Sequence, residues 1–592
     1  MQLLPTVRGE SFSDDAAAAN YSVHGMTGVE KLHQAGVFGD GATVAIVDSG
    51  VQYTHPALGG GIGPNFTVVG GYDLVGKDWP DVPAQPDNDP MDEYGHGTHV
   101  AGIIAGNSDQ FIGVSPAAKL LSFKVFGDSG YSNEETVIQG FLMAFDSGAD
   151  IISASLGEGS GFTTNALAVV ASRMVDQGVV VVIAAGNSGQ DGPFMASNGA
   201  SGKSVITVAA AEPGEFPAQT FAADFILDGL SNKTDIAYIS GSSPFPTTIV
   251  DWPIYPLTMN SSVQGDACGA LPAATSDLSN VIVLVRMGGC SMSVKQGNLV
   301  PFNASYILFY NDDGPFQNPV TSARSGVVGA IEARAGEAIV NTYLAGGNVT
   351  ATFKANADHY VGLYNAGGGR PALYTSWGGT YDLALKPDIA APGTKILNYG
   401  FWAPTTQVGA GLVDAEKALT YDTEISFVGR KFELNDTANF VRTQSVEITN
   451  QAGEAVTYTF SLQDAGGYES YIPAVPDHPQ TFVPEIKLYG DVKPVKMVPE
   501  VAMPQGDFIV SPGETKTANF TFALPPGLNA STLPVYTGKI LISGTNGEEL
   551  GIPYFGVGSD IRHDISNIWD YGGNFPYLVS TAQDIRLAQK AK

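Results

Sequence analysis

The sequence predicts an α/β fold, a parallel sheet with helices on both faces, followed by a β-rich C-terminal part. Three observations predict it. Short β-branched runs in the first 210 residues are separated by helical patterns about 10–15 residues long, the signature of βαβ units. After Tyr421 helical periodicity nearly vanishes. The composition is that of a folded chain: 44% hydrophobic and 15% charged, with 72 glycines and 36 prolines among 592 residues. That balance excludes global disorder and suits many tight turns.

The first strand is expected over 43–47, ending at Asp48, and further strands over 120–126, 151–156, 179–185 and 205–209. Ser132-Asn133-Glu134-Glu135 reads as a capping box, and Val137, Ile138, Phe141, Leu142 and Phe145 then form one apolar stripe. A second helix is expected over 167–175. Near residue 240 the chain turns rich in Gly, Ser, Pro and Thr. Beyond it, strands over 281–285 and 306–310 and weak helical periodicity over 327–340 suggest a small α+β or β module. Runs at 445–448, 456–462, 518–524 and 539–543 alternate with polar turns, as in a β-sandwich. Residues 562–592 show no sandwich pattern.

With 29 basic and 59 acidic side chains the net charge is −30. No Lys/Arg cluster is present to bind phosphates, so nucleic acid is not an expected partner. Anionic membrane surfaces are disfavoured for the same reason, and no apolar stretch is long enough to span a bilayer. The first residues lack the apolar core of a signal peptide. Nine Asn-x-Ser/Thr sequons, at Asn20, Asn65, Asn232, Asn260, Asn303, Asn348, Asn435, Asn519 and Asn529, nevertheless favour a secreted glycoprotein whose export signal is not in this chain. Cys268 and Cys290 read equally well as a disulfide or as two free core thiols.

Three short motifs carry the chemistry. Val44-Ala-Ile-Val-Asp48-Ser-Gly50 puts a carboxylate at a strand's carboxyl end, where sites assemble in parallel sheets; a lone Asp there is otherwise a turn or cap. Gly95-His96-Gly-Thr-His99-Val-Ala-Gly102 sets an imidazole between glycines at a helix start. The two histidines can also be read as metal ligands, but no Cys or Glu nearby completes a shell. Ala184-Ala-Gly186-Asn187-Ser-Gly189 places an amide at another strand end. It is either a turn residue or a donor to a developing oxyanion.

Together, in this order, the motifs resemble the subtilisin-like serine proteases (subtilases, peptidase family S8). Ser153-Ala-Ser-Leu-Gly157 and Leu385-Lys-Pro-Asp-Ile-Ala-Ala-Pro-Gly393 add to the resemblance. It implies a subtilisin-like fold, and most closely the large secreted subgroup with an inserted protease-associated domain and a C-terminal fibronectin-III-like domain. The domains expected are 1–239 and 371–420 for the catalytic domain, 240–370 for the insert, 421–560 for the sandwich and 561–592 for a further fragment. The resemblance implies Asp48 and His96 as catalytic residues, Asn187 as oxyanion donor, and Ser153, Ser155, Leu156 and Gly157 as substrate-binding residues. It also implies a Cys268–Cys290 disulfide. Protein or peptide substrates, a monomer and no required cofactor follow. Glu158 can favour a basic substrate side chain, though it reads better as solvated. Calcium is possible but not placed: Asp87, Asp89 and Asp92 read as an acidic surface turn rather than a calcium loop, so no metal site is expected.

The pattern breaks at the nucleophile. Family members carry Gly-Thr-Ser-Met-Ala-x-Pro on a long buried helix. Here Ala391-Pro-Gly393-Thr-Lys-Ile-Leu-Asn-Tyr-Gly400 runs through Phe401-Trp-Ala-Pro-Thr-Thr-Gln407 into Val408-Gly-Ala-Gly-Leu-Val-Asp-Ala415, and no Gly-Thr-Ser occurs anywhere. Ser376, in Thr375-Ser-Trp-Gly378, matches a family position that is not the nucleophile. The chain is therefore expected to be inactive or severely impaired as a peptidase. A coding segment lost between Gly400 and Phe401, a non-catalytic homologue that binds peptides or proteins, and a different nucleophile are the three explanations.

Overall fold

The computed structural model describes residues 23–564 except 110, 242, 313–315, 317–318, 320–325, 354–359, 366–367, 392–396, 399–400, 429–430 and 474–484; beyond 564 it describes only 578–580 and 585–587. The sequon at Asn20, the Pro392-Gly393 turn and most of 561–592 lie outside the described residues. Those described fall into two compact units. One is built mainly by Pro213–Gly368, the other by His24–Asn107, Ile112–Glu212 and everything from Gly369.

The larger unit holds the expected parallel sheet. Its strands are β1 (Thr43–Asp48), β2 (Val68–Asp73), β3 (Lys119–Lys124), β4 (Ile151–Ala154), β5 (Val180–Ala184) and β6 (Ile206–Ala210), with Ile389–Ala391 at one edge. From that edge the order is Ile389–Ala391, β6, β5, β4, β1, β3, β2, every pairing parallel. The order reverses around β1, so the carboxyl end of β1 lies where α/β sheets open a crevice. Strand β2 was not anticipated. Its Gly70-Gly71 pair breaks the β-branched pattern, and the reason is close packing: a Cβ at 71 would lie 2.0 Å from the Ser122 carbonyl oxygen.

The helices of this region are α1 (Val29–Gln34), α2 (His96–Ala105), α3 (Glu134–Asp146) and α4 (Ala166–Asp176). The α3 cap falls one residue later than the capping box suggests. Asn133 accepts from Thr136 N–H at 2.9 Å, while the Ser132 hydroxyl donates to the Val125 carbonyl at 2.6 Å. Val137 and Phe141 are buried against Val47, Phe123 and Ile152, but Leu142 is exposed, off the core stripe.

From Thr423 the same unit continues as two mainly antiparallel sheets, the second with one short parallel pairing, of Phe432–Glu433 with Glu549–Val557. One orders Thr423–Phe427, Thr443–Asn450, Thr515–Ala523 and Glu500–Ala502. The other includes Glu549–Val557, Pro534–Gly544 and Val456–Asp464. Alternating residues such as Val446, Ile448, Phe520, Phe522, Ile540 and Tyr554 bury a sandwich core between them. A further apolar cluster joins Phe194, Trp377 and Leu385 to Tyr468, Val535 and Phe555, so the sandwich and the parallel-sheet region share buried surface.

Beside that cluster, the short helix Thr405–Val408 is wholly buried. Three of its polar atoms are met from both sides, while Gln407 Oε1 is buried without a hydrogen-bond partner among the described residues. Gly378 N–H donates to the Thr406 carbonyl at 2.6 Å, Thr405 Oγ1 donates to the Tyr554 carbonyl at 2.9 Å, and Thr406 Oγ1 and Tyr468 OH lie 2.9 Å apart.

The smaller unit is more regular than the sequence suggests. It contains β7 (Glu215–Leu227), β8 (Leu230–Ser240), β9 (Trp252–Pro256), β10 (Ile282–Arg286), β11 (Tyr306–Tyr310), β12 (Val327–Ile331), β13 (Asn348–Thr352) and β14 (Val361–Tyr364). They form one mixed sheet, ordered β13, β9, β10, β11, β12, β8, β7, β14, with β9 to β12 parallel. The weak helical signal over 327–340 resolves into β12 followed by helix Ala333–Leu344. The unit starts at Pro213 rather than near 240, because the β7–β8 hairpin pairs into this sheet. Cys268 and Cys290 form a disulfide, their Cα atoms 5.8 Å apart. Closing a loop of sequence separation 22 contributes about 3 kcal/mol by restricting the unfolded chain.

Candidate active site

Asp48 ends β1 at the crevice and is 2% exposed. Its Oδ1 accepts from Ser49 N–H at 2.7 Å and from His96 Nδ1 at 2.7 Å. With a carboxylate on Nδ1, the neutral ring keeps its proton there and leaves the Nε2 lone pair free. Asp48 Oδ2 is buried without a hydrogen-bond partner among the described residues. The Lys124 ammonium, also buried, donates to the Ser49 carbonyl at 2.9 Å.

His96 is the first residue of α2, and its side chain is 46% exposed. The hydrogen bond it donates to Asp48 raises its pKa above the ordinary imidazole value. Burial pulls the other way, and the charges of Asp48 and Asp92 add to the rise. Gly97 explains why the helix can come so close to β1: a Cβ there would sit 2.1 Å from the Gly50 carbonyl oxygen. A residue larger than glycine would push the imidazole off the carboxylate.

Asp92 departs from the sequence reading. Asp87 and Asp89 are exposed as expected, but Asp92 is 6% exposed and is not part of a surface turn. Its Oδ1 accepts from the Ser49 hydroxyl at 3.0 Å and from the backbone N–H of Tyr94 and Gly95 at 3.0 and 2.9 Å. Its Oδ2 accepts from Thr98 N–H at 2.9 Å and the Thr98 hydroxyl at 2.5 Å. The Ser49 hydroxyl in turn accepts from Gly97 N–H at 2.9 Å. Asp92 therefore ties the turn after Asp48 to the helix start that carries His96. The sequence held one clue: a carboxylate four residues ahead of the histidine, beside a helix N-terminus that favours negative charge.

Asn187 lies in the turn after β5 and is exposed. The turn is fixed from both sides. Ser376 N–H donates to the Gly186 carbonyl at 2.9 Å, Ser188 N–H to Ser376 Oγ at 2.9 Å, and Gly189 N–H to the Tyr374 carbonyl at 2.9 Å. Ser376 is wholly buried in this support, which removes it as a nucleophile. Strand β4 lies between β1 and β5, so its continuation emerges between the ends bearing Asp48 and Asn187. Along it Ser153 and Leu156 are half-buried while Ser155, Gly157 and Glu158 are exposed. A bridge from Gly159 to Ser197 and a bond from Asn198 N–H to the Glu158 carbonyl at 2.8 Å hold its far end.

The structure thus unites Asp48 and His96 directly and sets Asn187 and 153–157 at the carboxyl edge of the same sheet. Such a dyad can accept a proton and stabilise the resulting imidazolium; beside it, an exposed amide can donate to an oxyanion. Among the described residues no group of three His, Cys, Asp or Glu side chains is placed to hold a metal ion. No described helix is long and apolar enough to cross a membrane.

Residues 39–427 match the model of the subtilase family, and residues 432–555 match that of an Fn3-like domain. The chain is 30% identical to minor extracellular protease Vpr of Bacillus subtilis (strain 168) over 376 residues, covering 63% of this chain and 43% of that protein. It is 40% identical to thermitase of Thermoactinomyces vulgaris over 158 residues, covering 26% and 50%. With subtilisin E of Bacillus subtilis (strain 168) the identity is 37% over 163 residues, covering 27% and 38%. The chain spans half or less of the length of these relatives.

Proposed function

The chain belongs to the subtilase family, and on that premise we propose that it is a secreted subtilisin-like polypeptide. It carries the proton-handling half of a peptide-bond acyl-transfer site but lacks the nucleophilic serine. The observation that carries the reading is the 2.7 Å Asp48–His96 bond at the crevice of the sheet, in a sequence without Gly-Thr-Ser. In a complete site His96 takes the serine proton and passes it to the leaving amine, while Asp48 fixes the tautomer and stabilises the imidazolium. Asn187 donates to the oxyanion, a contribution of about 2.7–4 kcal/mol in a subtilisin. Substrate adds as an extended strand along Ser153, Ser155, Leu156 and Gly157.

Loss of the serine alone costs about 2 × 10⁶ in kcat in a subtilisin. The site therefore binds peptide without cleaving it efficiently. The mechanism uses protein side chains only. In this reading Pro213–Gly368 is the protease-associated insert and Cys268–Cys290 its staple. The exposed sequons carry glycans in an extracellular monomer, and calcium has no assigned place. The second reading is a non-catalytic homologue that works as a peptide- or protein-binding module. What favours it is that the 153–157 edge and the Asn187 turn are intact and partly open although the nucleophile is missing.

Turnover of a fluorogenic peptide library by the purified chain tests the first statement. The expected result is no cleavage above that of a His96→Ala variant, and efficient His96-dependent cleavage refutes it. Saturable binding of uncleaved peptides then supports the module reading.

A further inference from the structure

We infer that His96, relieved of a serine partner, acts as a nucleophile toward activated acyl compounds, so that the chain is a weak hydrolase of aryl esters while peptide bonds stay intact. The inference rests on the reading that no serine nucleophile is present.

Three features carry it. The Nδ1 contact with Asp48 at 2.7 Å leaves the lone pair on Nε2, and no hydrogen bond engages Nε2 among the described residues. The side chain is 46% exposed, so an acyl group can approach the ring, whereas the supporting carboxylate is 2% exposed and cannot swing away. Asp48 also places a buried negative charge next to the cation that acylation creates. Besides Asp48 on β1, the other charge acting on the ring among the described residues is that of Asp92, ahead of α2, likewise a carboxylate. Both favour positive charge on the imidazole.

The step balances without any co-reactant except water. Nε2 adds to the acyl carbon, the bond from that carbon to the aryloxide oxygen breaks, and the aryloxide leaves with the electron pair. The product is an N-acyl imidazolium whose Nδ1–H stays on Asp48. Water then adds to the acyl carbon and gives up one proton to the released aryloxide, the carbon–Nε2 bond breaks, and the carboxylic acid, carrying water's other proton, departs as Nε2 regains its lone pair. Leaving-group quality sets the specificity. An electron-poor aryloxide departs about as readily as imidazole itself, so the adduct goes forward. An amide nitrogen or alkoxide departs far less readily, so the adduct expels imidazole and returns to substrate. The exposed Asn187 amide is the available donor to the tetrahedral oxygen.

The test is hydrolysis of p-nitrophenyl acetate by the full chain, compared with His96→Ala, His96→Gln, Asp48→Asn and the surface control His55→Asn. Expected is a drop on the order of tenfold or more for both His96 variants, with His55→Asn unchanged. Rapid quench and mass spectrometry should place a transient acetyl group on His96. The rate should rise with pH through a midpoint above that of free imidazole, and this midpoint should fall in Asp48→Asn. His96→Gln keeps the side chain's bulk, and its unfolding temperature checks that the fold survives. Ester turnover equal in the unmodified chain and in a folded His96→Gln, with peptides still inert, overturns this inference alone. Peptide cleavage with covalent labelling of a serine overturns the reading on which it rests.

Discussion

Replacing Asp92 by Asn tests how the site is held together. The amide oxygen can keep the bonds from the Ser49 hydroxyl and from Tyr94 and Gly95 N–H, but these cease to be charge-assisted and become roughly half as strong. The amide NH₂ then stands where Oδ2 accepted from Thr98 N–H at 2.9 Å. Two donors face each other, and a buried N–H left without an acceptor costs about 1–3 kcal/mol. The Thr98 hydroxyl adjusts more easily, because it can turn its proton away and go on accepting from Gln52 N–H at 2.8 Å. Allowing for the charge that no longer has to be buried, the net loss is about 2–4 kcal/mol, roughly 30- to 700-fold in the folding equilibrium. Urea unfolding followed by tryptophan fluorescence measures it. The neighbouring Glu93→Gln is the control, since Glu93 is exposed and 3.9 Å from Lys77, a pairing worth at most about 1 kcal/mol. If Asp92→Asn loses no more than Glu93→Gln, Asp92 is not the hub that the geometry makes it.

Gly97→Ala must move α2 off β1, because the new methyl would stand 2.1 Å from the Gly50 carbonyl; a loss of about 1–3 kcal/mol and a lower His96 titration midpoint by NMR are expected. Asp388 sits between Lys386, which is buried and 2.9 Å away, and Lys431. Asp388→Ala takes the shared carboxylate away from both ammonium groups, leaving Lys386 its bond to the Val205 carbonyl at 2.6 Å, and should cost about 3–5 kcal/mol in thermal unfolding; a loss below about 1 kcal/mol would contradict the buried pairing. After secretion from a eukaryotic host, peptide-N-glycosidase should lower the mass of the chain. The modified sites are expected among the exposed Asn65, Asn232, Asn260, Asn303, Asn348, Asn519 and Asn529. Asn435, half-buried with its amide on the Asn439 carbonyl at 3.4 Å, is expected to stay bare.

What the sequence showed and what it hid follow one physical line. Asp48, His96 and Asn187 were legible because each depends on local features: a strand end, a glycine-flanked helix start, a turn. Asp92 was hidden because its burial depends on Ser49, 43 residues earlier in the chain, folding back to meet it. The burial of the Pro404-Thr-Thr-Gln407 stretch was hidden for a similar reason. Its hydroxyls are satisfied by Tyr468 and the Tyr554 carbonyl, far along the sandwich. In the smaller unit the parallel strands β10 to β12 were partly hidden, since fully buried short runs look alike whether their neighbours are parallel or antiparallel.

The most direct measurement is intact-mass analysis of the purified chain after exposure to a fluorophosphonate, which phosphonylates activated serines. The account predicts an unchanged mass at reagent levels that fully label an active subtilisin. A stoichiometric adduct on any serine of this chain would contradict it, because the Asp48–His96 pair would then have a nucleophile after all.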